Sequence, residues 1–170
     1  MKLDGIHHVT CITGDAPRNV DFYTRVLGLR MVKKTVNQDD PTVYHLFYAD
    51  ENGSPGSDIT FFEYPGVRRG QAGAGMIHTV RWRVGSEDSL LFWEQRLAPE
   101  TTGVERAEGT LAFEDPEGLR HELAVVATSD APLVAEHDTD DDTTATLRAR
   151  AQGHLLRRAG DRADASDAVA

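Results

Sequence analysis

The 170-residue chain contains a single cysteine, Cys11, so no disulfide can close within it. That count fits a reducing compartment, and a cytoplasmic location is the expectation. Cations are also scarce: 18 Lys and Arg stand against 28 Asp and Glu, a formal charge of −10. Tracking a phosphate backbone needs clustered Lys and Arg, so a nucleic-acid partner is excluded, and attraction to anionic membranes is weak. No apolar run approaches the roughly 20 residues of a membrane-spanning helix. Met1-Lys2-Leu3-Asp4-Gly5 has no apolar segment of a secretory signal. Aromatic residues make up 7% of the chain and none follows Phe113, which leaves the C-terminal third little to build a core from.

What remains is a patterned acidic domain, long enough for one core. An apolar strand is expected over residues 6–13, followed by Asp15 as helix cap and Pro17 in the first turn. Val20, Tyr23 and Leu27 then form a helical stripe, widened by Phe22 and Val26 and closed by Gly28. Strands are expected over 29–36, 43–48 and 59–64. After a Gly- and Arg-rich connection (68–75) the order returns. A strand is predicted over 76–84, a helix from Ser86 through Leu90, Trp93 and Leu97, and strands over 104–107, 110–113 and 120–126. Phe22-Tyr23 recurs as Phe92-Trp93 about 70 residues on, the mark of a duplicated unit. The fold class expected is therefore α+β. It comprises two tandem βαβββ units, about 3–66 and 75–127 of a domain spanning 3–127, and an acidic, Ala/Arg-rich, weakly structured tail over 128–170. The Asp-rich run at 138–142 lacks the sixth-position Gly and twelfth-position Glu of a calcium loop and reads as a solvated charge run.

Several residues could carry chemistry. Within His7-His8, strand alternation lets only one ring face a given cavity, and His8 shares its face with Ile6, Thr10 and Ile12. Glu122, in the last strand beside Ala124 and Val126, needs a partner if that face is dry: a metal ion, or Arg120 two residues away. His78 shares a face with Met76, Val80, Trp82 and Val84, which reads as core, while Thr79, Arg81 and Arg83 take the other face. Cys11 reads as a buried structural thiol. The Gly70–Gly75 stretch lacks a phosphate-loop lysine and precedes a strand, and no Gly-x-Ser-x-Gly elbow occurs.

These motifs carry a family resemblance. Gly5-Ile6-His7-His8-Val9-Thr10, Gly14-Asp15, Asn19-Val20-Asp21-Phe22-Tyr23 and Val26-Leu27-Gly28-Leu29 resemble the opening of a vicinal oxygen chelate domain, the superfamily of glyoxalase I, bleomycin-resistance proteins and extradiol dioxygenases. The closing Asp115-Pro116-Glu117-Gly118-Leu119-Arg120-His121-Glu122-Leu123 is similar to its terminal metal-ligand strand. More narrowly, Val32-Lys33-Lys34-Thr35-Val36, Asp39-Asp40-Pro41, Tyr44-His45-Leu46, Gly53-Ser54-Pro55-Gly56 and Thr60-Phe61-Phe62 are similar to ring-cleaving dioxygenases of the hydroquinone type, through about residue 137.

The resemblance implies one Fe(II) or Mn(II) ion held by two histidines and a carboxylate, with a small dihydroxy-aromatic and oxygen as partners. His8 matches the histidine of the first unit, with Thr10 beside it in the substrate pocket. The other donors of such enzymes come from a fourth unit, so a truncated member, without metal or completed by a homodimer, is also an expectation. The two-unit glyoxalase pattern maps instead onto His8, Thr60, Thr79 and Glu122, with His78 one residue out of register. The function expected is thus a metal-dependent ring-cleaving dioxygenase with His8 and Glu122 as ligands and His78 as the substitute. The alternatives are a metal-free binding protein and a glyoxalase-like isomerase.

Overall fold

The computed structural model describes residues 7–50, 52–54 and 56–127; Ile6, the tail and the Asp-rich run lie outside the described residues. Strand β1 (His8–Thr13) leads into helix α1 (Ala16–Asp21), which runs on as a π-helical turn (Phe22–Val26). Strands β2 (Arg30–Val36), β3 (Tyr44–Ala49) and β4 (Asp58–Glu63) follow. The second unit repeats the order: β5 (Thr79–Val84), α2 (Glu87–Leu97), β6 (Glu105–Ala107), β7 (Thr110–Glu114) and β8 (Arg120–Val125).

Each unit makes its own four-stranded sheet, in the orders β1-β4-β3-β2 and β5-β8-β7-β6. The three later strands of a unit form an antiparallel meander, and its last strand lies parallel to the first, a pairing that requires the helical crossover between them. This is the expected pair of βαβββ units.

Both helices start where the sequence places them. Asp15 accepts the Arg18 amide at 3.1 Å and Ser86 accepts that of Ser89 at 3.2 Å, each satisfying one free donor of a first turn. The N-terminus of α1 draws further carboxylates, with Ala16 N donating to Glu63 at 2.9 Å and Gly14 N to Glu117 at 2.7 Å. Glu117 also accepts the Thr13 hydroxyl, so a turn of the second unit clamps the end of β1. The π turn, with Leu27 N on Phe22 O at 3.0 Å, winds the chain so that Phe22, Tyr23, Val26 and Leu27 are all buried. Gly28 then reverses direction at φ +70°, with nothing within 4 Å of a built Cβ. Gly28→Ala is therefore expected to cost only the left-handed backbone strain, about 1–2 kcal/mol in a urea melt.

The two units share one core. Tyr23 packs on Tyr48 and Phe61 of its own sheet, and Leu27, Trp82, Phe113 and Leu123 continue the same cluster into the second. Arg96 of α2 donates to the Val26 carbonyl at 2.7 Å and to that of Arg25 at 2.5 Å, serving carbonyls that the ending helix leaves free. Strand β5 is shorter than expected. The parallel ladder begins with Thr79 opposite Arg120, where β8 begins, so Met76, Ile77 and His78 have no strand to pair with and lie exposed.

Candidate functional site

Alternation along the strands gives each sheet a core face and an open face. On β1, Val9 and Thr13 are buried while His8, Thr10 and Ile12 are exposed on the open side, as the alternation requires. Register then sets their neighbours: His8 lies opposite Asp58, and Thr10 opposite Thr60, which in turn pairs with Phe47. The buried Thr60 hydroxyl donates to Thr10 Oγ1 at 3.0 Å.

His7 precedes β1, and its ring meets that of His8 edge-on, with the two Nδ1 atoms 3.1 Å apart. The doublet therefore stays together instead of dividing between two faces. Asp58 Oδ2 lies 4.0 Å from His7 Nδ1, and burial raises the Asp58 pKa while both histidines oppose that rise. Further along the same face His45 is wedged between Phe47 and Phe62, with centroids 4.0 and 3.9 Å away. Burial, then His8 and Lys33, lowers the His45 pKa and favours the neutral ring.

The second unit places Glu122 on its open face, opposite Arg81 of β5 and Ala112 of β7. Glu122 Oε1 sits 2.5 Å from Arg81 Nη2. The partner is thus Arg81 rather than Arg120, which reaches Glu105 at 3.0 Å. His78 stands exposed ahead of β5, its Nδ1 2.9 Å from Thr79 Oγ1; it is neither the core residue nor the strand residue that its spacing suggests.

Within one chain the described donors do not by themselves complete a metal site. Among the described residues no three His, Cys, Asp or Glu side chains converge where an ion could sit. His8 is exposed, and Glu122 faces the Arg81 guanidinium, although its buried Oε1 accepts no hydrogen bond. Cys11 offers no thiolate, because burial, then Asp115, pushes its pKa up to about 12.

A buried polar chain lies behind the open face, and the sequence reading passed over it. Trp82 Nε1, which can only donate, reaches His121 Nδ1 at 3.0 Å. The neutral ring then carries its hydrogen on Nε2 and donates to Tyr23 Oη at 3.0 Å, and the Tyr23 hydroxyl donates to Asp115 Oδ2 at 3.0 Å. Asp115 Oδ1 also accepts the Glu117 and Leu119 amides, at 2.9 and 2.8 Å. The available signal was the alternation that turns His121 away from Glu122 and toward Leu123.

Residues 5–123 match the family described as the Glyoxalase/Bleomycin resistance protein/Dioxygenase superfamily. The chain is 46% identical over 125 residues to MhqA of Bacillus subtilis (strain 168), named a ring-cleaving dioxygenase; the match covers 71% of this chain and 40% of MhqA. It is 34% identical over 126 residues to the chlorohydroquinone/hydroquinone 1,2-dioxygenase of Sphingobium indicum, covering 68% of this chain and 38% of that protein. The chain thus spans about 40% of the length of these relatives. Among solved structures, one titled as a dioxygenase from Bacillus subtilis aligns at TM-score 0.71 and 38% identity, over 88% of this chain and 47% of that one. The fosfomycin resistance protein FosX of Listeria monocytogenes, 15% identical, shares the fold at TM-score 0.55, over 74% of this chain and 94% of its own.

Proposed function

Because the chain belongs to the glyoxalase/bleomycin resistance protein/dioxygenase superfamily, we propose that it serves ring cleavage of a dihydroxy-aromatic, such as a hydroquinone or catechol, with oxygen as co-substrate. The observation that carries this reading is the exposed His8 on the open face of β1, beside the Thr10–Thr60 hydroxyl pair, in a chain 46% identical to a protein named a ring-cleaving dioxygenase. In this reading one Fe(II) or Mn(II) ion is the cofactor. His8 is the donor from the first unit, Glu122 the carboxylate donor of the second, and a homodimer completes the set. Thr10 and Thr60 line the substrate side, where hydroxyls suit a phenol.

The test is oxygen uptake with hydroquinone or catechol after anaerobic loading with Fe(II). Uptake by the wild type that is lost in His8→Ala is expected. No uptake by the loaded wild type overturns the reading for this chain.

A second reading, a metal-free binding domain, is favoured by the Arg81–Glu122 contact, which neutralises the second unit's open-face carboxylate without an ion. Calorimetric binding of catechol that is unchanged by a chelator would select it.

A further inference from the structure

On the second sheet, the face turned away from the core is more covered than its described neighbours account for. Val80, Trp82 and Val84 of β5 enter the core cluster, so Thr79, Arg81 and Arg83 take the other face. Arg83 is only 9% exposed. It sits on an edge strand, and its row continues through Ala124 to Thr110, side chains too short to shade a guanidinium. Ala124 and Ala112 on the same face are also buried, at 5% and 7%, yet neither belongs to the core cluster. Helix α2 packs on the core side through Leu90, Trp93 and Leu97, and the 64–78 connection is itself exposed throughout. The first unit supplies the control: Ile12, at the position of β1 that matches Arg83, is 58% exposed.

The chain leaves the sheet at this point. Val126 N donates to the Val84 carbonyl at 3.2 Å, one residue along from Arg83. Thr128-Ser129-Asp130 then has the composition of a turn, and Ala131-Pro132-Leu133-Val134-Ala135 is a short apolar stretch. An extended chain gains about 3.3 Å per residue, so Asp130 can reach Arg83 and the residues after it can span the Ala124 and Ala112 rows. Charge agrees with this path. Between Ala127 and Arg148 the sequence has Asp and Glu but no Lys or Arg, and the face it meets carries Arg81, Arg83 and Arg120. A buried arginine calls for an anionic partner.

We infer that residues 129–136 fold back in cis as a strap over this face of the second sheet, with Asp130 set against Arg83 and Leu133 and Val134 over the two alanines. The strap closes the second sheet's face while that of the first, with His8 and Thr10, stays uncovered. A second copy of the chain that draws on Glu122 has to lift it first, which makes the strap a built-in control on assembly. Only that last consequence rests on the function proposed above.

The test is paramagnetic relaxation enhancement in the full chain, with a nitroxide on Thr139→Cys, just past the strap. Cys11 does not compete for the label, because its buried thiol has a pKa of about 12. The label is expected to remove most of the amide intensity of Arg81, Arg83, Ala112 and Ala124 and to leave that of Thr10, Ile12 and Phe47 much less affected. Adding Asp130→Lys is expected to restore the lost intensity. No loss on the second sheet, equal loss on both sheets, or loss that Asp130→Lys leaves unchanged would overturn the inference. So would broadening in isotope-labelled protein mixed with spin-labelled protein of natural abundance, since that contact lies between chains. Metal and oxygen play no part in the readout, so its failure and that of the ring-cleavage reading are separately visible.

Discussion

Tyr23→Ala is expected to leave no folded protein at 37 °C. The ring is fully buried and packs on Tyr48 and Phe61 of one sheet and on His121 of the other, so its removal opens a cavity in the core the two units share. Truncating a buried aromatic costs about 3–5 kcal/mol. The loss also strands two buried polar groups, Asp115 Oδ2 and the His121 Nε2 hydrogen, at about 1–3 kcal/mol each. The sum rivals the ~5–15 kcal/mol that stabilises a whole domain. Tyr23→Phe separates the two effects. It keeps the packing and removes the hydroxyl that serves both groups, so a urea melt should show a loss of about 2–6 kcal/mol. A Tyr23→Ala protein within about 2 kcal/mol of wild type would mean that the two sheets do not depend on a shared core.

The second large effect is expected in acid. Burial drives the His121 pKa from 6.5 down to about 3. The unfolded chain therefore takes up a proton near pH 6.5 that the folded chain refuses until about pH 3. A depressed folded pKa contributes stability that is present above 6.5 and is lost as pH falls through this window. The slope is about 1.4 kcal/mol per pH unit for one proton. The groups around the ring modify this in definite directions. Asp115 has its pKa raised, by burial above all, so it holds a proton more readily folded than unfolded and offsets part of the loss at the acidic end. Tyr23 and Cys11 are both shifted upward, chiefly by burial, and stay neutral throughout. Thermal melts of wild type from pH 7 to 4 should therefore fall steeply, and those of His121→Gln, which cannot titrate there, should be lower at pH 7 but flatter. Parallel slopes in the two proteins would assign the acid sensitivity to other groups.

The duplicated unit, the order of its elements and the sidedness of each strand were legible from the residues alone. The repeat of Phe22-Tyr23 in Phe92-Trp93, the caps Asp15 and Ser86, and the alternation along β1 are local signals, set by periodicity and by which backbone donors a side chain can reach. That His8 and Thr10 share a face followed from the same alternation, whereas whether the face of Glu122 is dry or open did not. Which groups meet across strands was not legible. Arg81 and Glu122 are 41 residues apart in sequence, and only the parallel register of β5 with β8 sets them side by side. That pairing sets a guanidinium beside the carboxylate that the resemblance assigns to a metal. The chain Trp82–His121–Tyr23–Asp115 likewise joins β5, β8, the π turn and the β7–β8 turn through contacts that exist only once both sheets close on one core. Local patterning tells a side chain which way to face; partner identity, and with it charge state and ligand capacity, is a property of packing between elements distant in sequence.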